Sequence, residues 1–102
     1  MALQINTSLT TNDGGTVDSG AYVVFATFFP ESATNYNVNL KIYRDAEVYN
    51  NGLTPLRGVL EIPTTNFDYD IVDISTLTLV DVNTSVLNRL ESYVGSGNVS
   101  VV

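Results

Sequence analysis

At 102 residues the chain has room for one domain around one hydrophobic core, and a single domain over residues 1–102 is expected. Eleven Asp and Glu stand against four Lys and Arg, a formal net charge of −7, which argues against binding the phosphates of nucleic acid or docking on an anionic membrane. Cys and His are both absent, which excludes disulfides, thiolate catalysis, His base chemistry and Zn held by either residue.

In the first segment Leu3, Ile5 and Leu9 alternate with Gln4, Asn6 and Ser8, the period of a half-buried strand. Met1–Asn6 shows no basic region followed by an apolar run, so no signal peptide is expected. Thr11-Asn12-Asp13-Gly14-Gly15 is a turn cluster leading to a second strand. That strand, Tyr22 to Phe29, stops at Pro30 and has apolar residues on both faces, with Val23, Phe25 and Phe29 on one of them. A strand of this kind is normally covered on both sides. One cover is the core; the other is a second sheet, a helix or another subunit. The run Ala21–Phe29 is too short to cross a bilayer as a helix.

After a loop at 31–35, Tyr36, Val38, Leu40 and Ile42 alternate with Asn35, Asn37, Asn39 and Lys41, the cleanest strand signature in the chain. Asn51-Gly52 marks a turn. A strand is expected over Leu56–Ile62, ending at Pro63, and another where Phe67, Tyr69 and Ile71 alternate with Asp68, Asp70 and Val72. Leu77 and Leu79 continue the alternation between Thr76 and Thr78. Val86, Leu87, Leu90 and Val94 then fall at helical spacing, which predicts one helix near residues 83–94. Asn83 would be its N-cap, Val82 and Leu87 its hydrophobic staple, and Gly95 its stop. Val99-Ser100-Val101-Val102 reads as a short closing strand, suited to pair with a sheet edge of its own or of a neighbour. The fold class is therefore α+β and β-rich, an antiparallel sheet or sandwich with one C-terminal helix.

No catalytic constellation accompanies these elements, and no enzyme, cofactor or metal site is expected. Asp68, Asp70 and Asp73 are close in sequence, but Ca²⁺ loops need five or more oxygen ligands around a central Gly. Carboxylate pairs of the glycosidase type need a cleft that desolvates one acid, and a core this small leaves little room. No Ser or Thr has a His to activate it, and there is no Gly-x-Ser-x-Gly elbow. Three glycosylation sequons, at Asn6, Asn83 and Asn98, are about what chance supplies in a chain this rich in Asn, Ser and Thr. Six tyrosines could build an aromatic surface, and Tyr43 and Tyr49 beside the Asn35-Asn37-Asn39 row are candidates for stacking on a sugar.

Assembly is the stronger reading. Charged residues make up 15% of the chain, against about 25% in ordinary soluble domains, and its polarity comes instead from eleven Asn, eight Ser and twelve Thr. A subunit that buries much of its exterior against neighbours tolerates that deficit. Val23, Phe25, Phe29, Val99, Val101 and Val102 are the candidate interface residues.

The blocks Ser19-Gly20-Ala21-Tyr22-Val23-Val24-Phe25, Leu40-Lys41-Ile42-Tyr43-Arg44 with Tyr49-Asn50-Asn51-Gly52, and Leu90-Glu91-Ser92-Tyr93-Val94-Gly95 give the chain a texture that resembles the small virion proteins of tailed bacteriophages. The resemblance lies in overall character and rests on no diagnostic motif. It implies a non-enzymatic ring or shell subunit in the neck, tail or capsid, assembled in the host cytoplasm, with copies of itself and other virion proteins as partners. The alternative is a small β-sandwich module that binds carbohydrate or a cell-surface partner.

Overall fold

The alternation over 35–43 builds the longest regular ladder of the molecule. In the computed structural model, which describes residues 2–102, strand β5 (Asn35–Tyr43) buries Tyr36, Val38, Leu40 and Ile42 and turns its Asn side chains outward. It pairs antiparallel on one side with β4 (Ala21–Pro30) and on the other with β6 (Asn66–Asp70). β4 in turn pairs with β1 (Ala2–Ile5), and β1 with β7 (Val99–Val101), so the five-stranded antiparallel sheet has the order β6-β5-β4-β1-β7. The first strand thus lies inside the sheet, closed on one side by the last. The molecule is α+β, a curled antiparallel sheet with one main helix.

The single strand expected over residues 3–9 is two. Asn6 leaves β1 to donate its backbone N–H to Asn98 O at 2.7 Å, and the chain turns into β2 (Leu9–Thr10), which pairs with β3 (Thr16–Val17) across the Thr11–Gly15 turn. Gly14 sits in that turn at φ 89°, where a side chain would be strained.

β4 explains its own loss of alternation. Its register against β5 shifts between Phe25 and Thr27, a bulge at Ala26. Before the bulge the odd residues Val23 and Phe25 face Ile42 and Leu40 on the core side; after it the even residue Phe28 faces Val38. One extra residue moves every later side chain to the opposite face, so apolar residues fall at both parities. The other face is only partly covered, where Tyr22 meets Tyr49 of the short helix α1 (Ala46–Asn50). Sequence periodicity gave no sign of α1. Its marker is Asp45, which caps it by accepting from Val48 N–H at 2.8 Å.

The main helix α2 spans Leu79–Val94 and lays Val82, Val86 and Leu90 on the core. It begins four residues earlier than the spacing predicted. Thr78 is the N-cap, accepting from Asp81 N–H, while the Asp81 carboxylate accepts from Thr78 N–H, each at 3.2 Å. This reciprocal box satisfies two free donors of the first turn. Asn83 is consequently not a cap. It lies within the helix, 6% exposed, and its Oδ1 has no hydrogen-bond partner. Gly95 ends the helix at positive φ, as expected, and Asn98 Nδ2 donates to the free carbonyl of Val94 at 2.8 Å.

Two further strand expectations fail. Leu56–Ile62 forms no ladder; one isolated bridge joins Val59 to Thr11, and Val59 and Ile62 are core residues on an irregular backbone. Gly58 and the flanking Pro55 and Pro63 interrupt a ladder. The segment is held instead by the Glu61 carboxylate, which accepts from Thr10 N–H at 2.8 and 3.0 Å. The Leu77/Leu79 alternation is likewise not a strand. Asp73 caps a single 3-10 turn, Ile74–Thr76, by accepting from Ser75 N–H, and α2 follows at once.

Candidate interaction surface

The outward face of β5 and β6 carries a ladder of amides and carboxylates set by register. Asn35 lies opposite Asp70, Asn37 opposite Asp68, and Asn39 opposite Asn66. Asn35 Nδ2 donates to Asp70 at 2.9 Å, and Asn37 Nδ2 donates to Asp68 at 2.8 Å and Asn66 at 2.5 Å. Each amide neutralises part of the field of the carboxylate facing it, which lets acidic side chains stand close on one face. At the hairpin tip, lost hydration and then the Asp68 carboxylate push the Glu31 carboxyl up from its ordinary value. Asp73 is drawn down by the Ser75 N–H and hydroxyl. Asp68 and Asp70 are thus committed to the ladder and Asp73 to a cap. Among the described residues no three acidic side chains converge as a metal-binding group.

On the core side of β6, Arg89 of α2 lies over the rings of Phe67 and Tyr69, 5.0 Å from each centroid, a stacked cation that covers the sheet end. Burial pushes the Tyr69 phenol up to about 12, against the opposing pull of the Arg89 charge, and its hydroxyl has no partner. A phenol that holds its proton so firmly cannot serve as a base near neutral pH.

Tyr43 and Tyr49, the candidates for sugar stacking, pack against each other at 5.1 Å, with Tyr22 5.2 Å from Tyr49. Tyr43 is buried, and only Tyr49 presents much of its ring. The row of Asn amides beside them is engaged by β6. Three of the four cations, Lys41, Arg44 and Arg57, line adjoining hollows around Gly58, together with Asp13. Asp13 is itself held down by hydrogen bonds from the Thr11 hydroxyl and Gly15 N–H.

The six interface candidates separate. Val23 and Val99 are sealed in the core, Phe25 is half-buried, and Phe29, Val101 and Val102 are exposed at 64, 55 and 55%. The closing strand does pair with a sheet edge, that of its own β1. The structure adds Phe28, Leu79 and Val80 to the exposed apolar set. Leu79 lines a shallow hollow of about 310 Å³ with Ala2, Tyr22, Val24, Phe25 and Tyr49. Val102 adjoins the same place, donating its N–H to Ala2 O at 3.0 Å. Leu79 continues the helical stripe of Val82, Val86 and Leu90 by one turn yet is exposed, and Val80 lies off that stripe. The misfit of Val80 is the signal that would have flagged it.

These residues border a step in the sheet. β1 covers β4 only from Ala21 to Val24. Beyond Val24, no strand among the described residues pairs with that side of β4, and Ala26–Pro30 are all exposed. The outer edge of β7 is likewise unpaired. No family model, curated protein or solved structure matches this chain.

Proposed function

We propose that the chain is a non-enzymatic structural subunit of a tailed-phage virion, assembling with copies of itself and with other virion proteins in the neck or tail. The observation that carries the assembly reading is the apolar rim at the step: Phe28, Phe29, Leu79, Val101 and Val102 stand exposed beside an unpaired strand edge. A free monomer would normally blunt such an edge with charge, and exposed apolar residues along an open edge favour a protein contact there. The placement in a virion rests on the resemblance in sequence character.

Light scattering on the purified chain over a concentration series tests the assembly reading. A discrete oligomer supports it, and a monomer indifferent to concentration refutes it. The Tyr22–Tyr43–Tyr49 cluster, with the Tyr49 ring at the surface, favours a second reading as a carbohydrate-binding module. Saturable binding in a glycan screen, abolished by Tyr49→Ala, would support it.

A further inference from the structure

Besides the outer edge of β6 at the far end of the sheet, two strand edges are open among the described residues, and these two open on the same side. From β4 the order runs through β1 to β7, so the outer edge of β7 and the uncovered half of β4 face the same direction, set back from one another by two strands. The uncovered ladder of β4 is short, bracketed by the bulge at Ala26 and by Pro30, which has no N–H to give. That leaves Thr27, Phe28 and Phe29. β7 offers three residues, Val99–Val101.

We propose that these edges complete each other between two copies of the chain, the β7 of each adding to the open half of the other's β4. This deepens the assembly reading above and rests on it. Within one chain β7 runs parallel to β4, because each is antiparallel to β1. Because both edges face the same way, a neighbour whose β7 meets β4 with its core face on the same side of the sheet presents its own β4 to the first copy's β7. The contact is therefore two-fold and closed rather than head-to-tail. A two-fold axis normal to the sheet reverses the partner strand, so the new pairing is antiparallel, and it keeps both core faces on the same side.

Side-chain parity then selects the register. Phe28 lies opposite Val38 and Val101 opposite Leu3, so both belong to the core face. Matching them places Thr27 against Val102, Phe28 against Val101 and Phe29 against Ser100 of the other copy. Charge agrees with this occupant. The chain carries −7, so two copies repel except through neutral surface, and residues 19–30 and 92–102 contain no Asp, Glu, Lys or Arg. The half-exposed Phe28, Val101 and Val102 all fall in the contact.

The test uses the full chain, whose lack of Cys gives a clean background. In the double variant Phe28→Cys/Val101→Cys, β1 separates the two positions within one chain, at least two strand spacings or roughly 10 Å, beyond the ~7 Å reach of a disulfide. Mild oxidation should therefore give a covalent dimer and no internal crosslink, and neither single variant should dimerise comparably. Thr27→Lys and Val101→Lys, each with an unchanged circular dichroism spectrum, should raise the dimer dissociation constant at least tenfold, and Thr27→Lys serves alone should Val101→Lys misfold. A wild-type chain that stays monomeric from micromolar to millimolar concentration overturns both this pairing and the assembly reading. An oligomer that survives Thr27→Lys and leaves the double variant uncrosslinked overturns the pairing and leaves the assembly reading standing.

Discussion

Replacing Asn83 by Leu should stabilise this protein. Asn83 is the one buried Asn, Ser, Thr or charged residue among the described residues, 6% exposed, and its Oδ1 is sealed without a partner. A buried acceptor left unsatisfied costs about 1–3 kcal/mol. Leu has the same branched outline, so the swap removes that penalty without leaving a cavity. It sits in α2 between Val82 and Val86, where the Leu methyls would extend the existing apolar contacts with the sheet. Helix propensity adds a few tenths of a kcal/mol. The expected gain is about 1–3 kcal/mol, and at roughly 4–8 °C per kcal/mol for a domain of this size the Tm should rise by several degrees or more. Thermal unfolding followed by circular dichroism measures it, with Asn83→Ala as the control that relieves the same acceptor but opens a void. A fall in Tm for Asn83→Leu would refute the reasoning, because it would mean that the amide makes a stabilising contact, such as a bound water.

Thr78→Ala removes one half of the capping box and should cost about 1 kcal/mol, read as a lower denaturation midpoint at unchanged m-value; no loss would show that the helix does not depend on its first turn. Deleting residues 99–102 strips the outer partner from β1 and the buried Val99 from the core, so it should lower the Tm sharply rather than merely weaken assembly. For Tyr69, whose phenol is raised to about 12 from 10, the unfolded chain loses its proton first as pH rises. Its contribution to stability is therefore full below pH 10 and declines between about pH 10 and 12. An absorbance titration should show a phenol ionising near pH 12, a step that Tyr69→Phe abolishes.

The sheet was legible where burial falls on one face alone. β5 could be read directly because Tyr36, Val38, Leu40 and Ile42 all point to the core and the residues between them do not. β4 misled because the Ala26 bulge reverses parity midway, a feature no fixed period detects. The start of α2 was placed late because Leu77 and Leu79 alternate with Thr76 and Thr78 as in a strand, although Leu79 shares the face of Val82, Val86 and Leu90 and the Thr78–Asp81 box marks the true start. Residues 56–62 carry the apolar content of a strand, yet they bury Val59 and Ile62 from an irregular backbone tied down by Glu61. At the candidate surface, Phe29, Val101 and Val102 could be named from sequence. The step could not, because it arises from the difference in length between β1 and β4, which only pairing reveals.

The position of β1 sets an order of events for a chain emerging from the ribosome. β4 and β5 are joined by a tight hairpin and can zip as soon as residue 43 is free, whereas the flank of β1 that receives Val99–Val101 waits for more than ninety residues of further synthesis. Local pairings form quickly and distant ones late, so in a nascent chain Leu3 and Ile5 stand on an unfinished margin until Val99–Val101 arrive. Emergence of Val99–Val101 is thus the moment at which this protein stops being sticky along β1, and crowded polysomes are where its misassembly would begin.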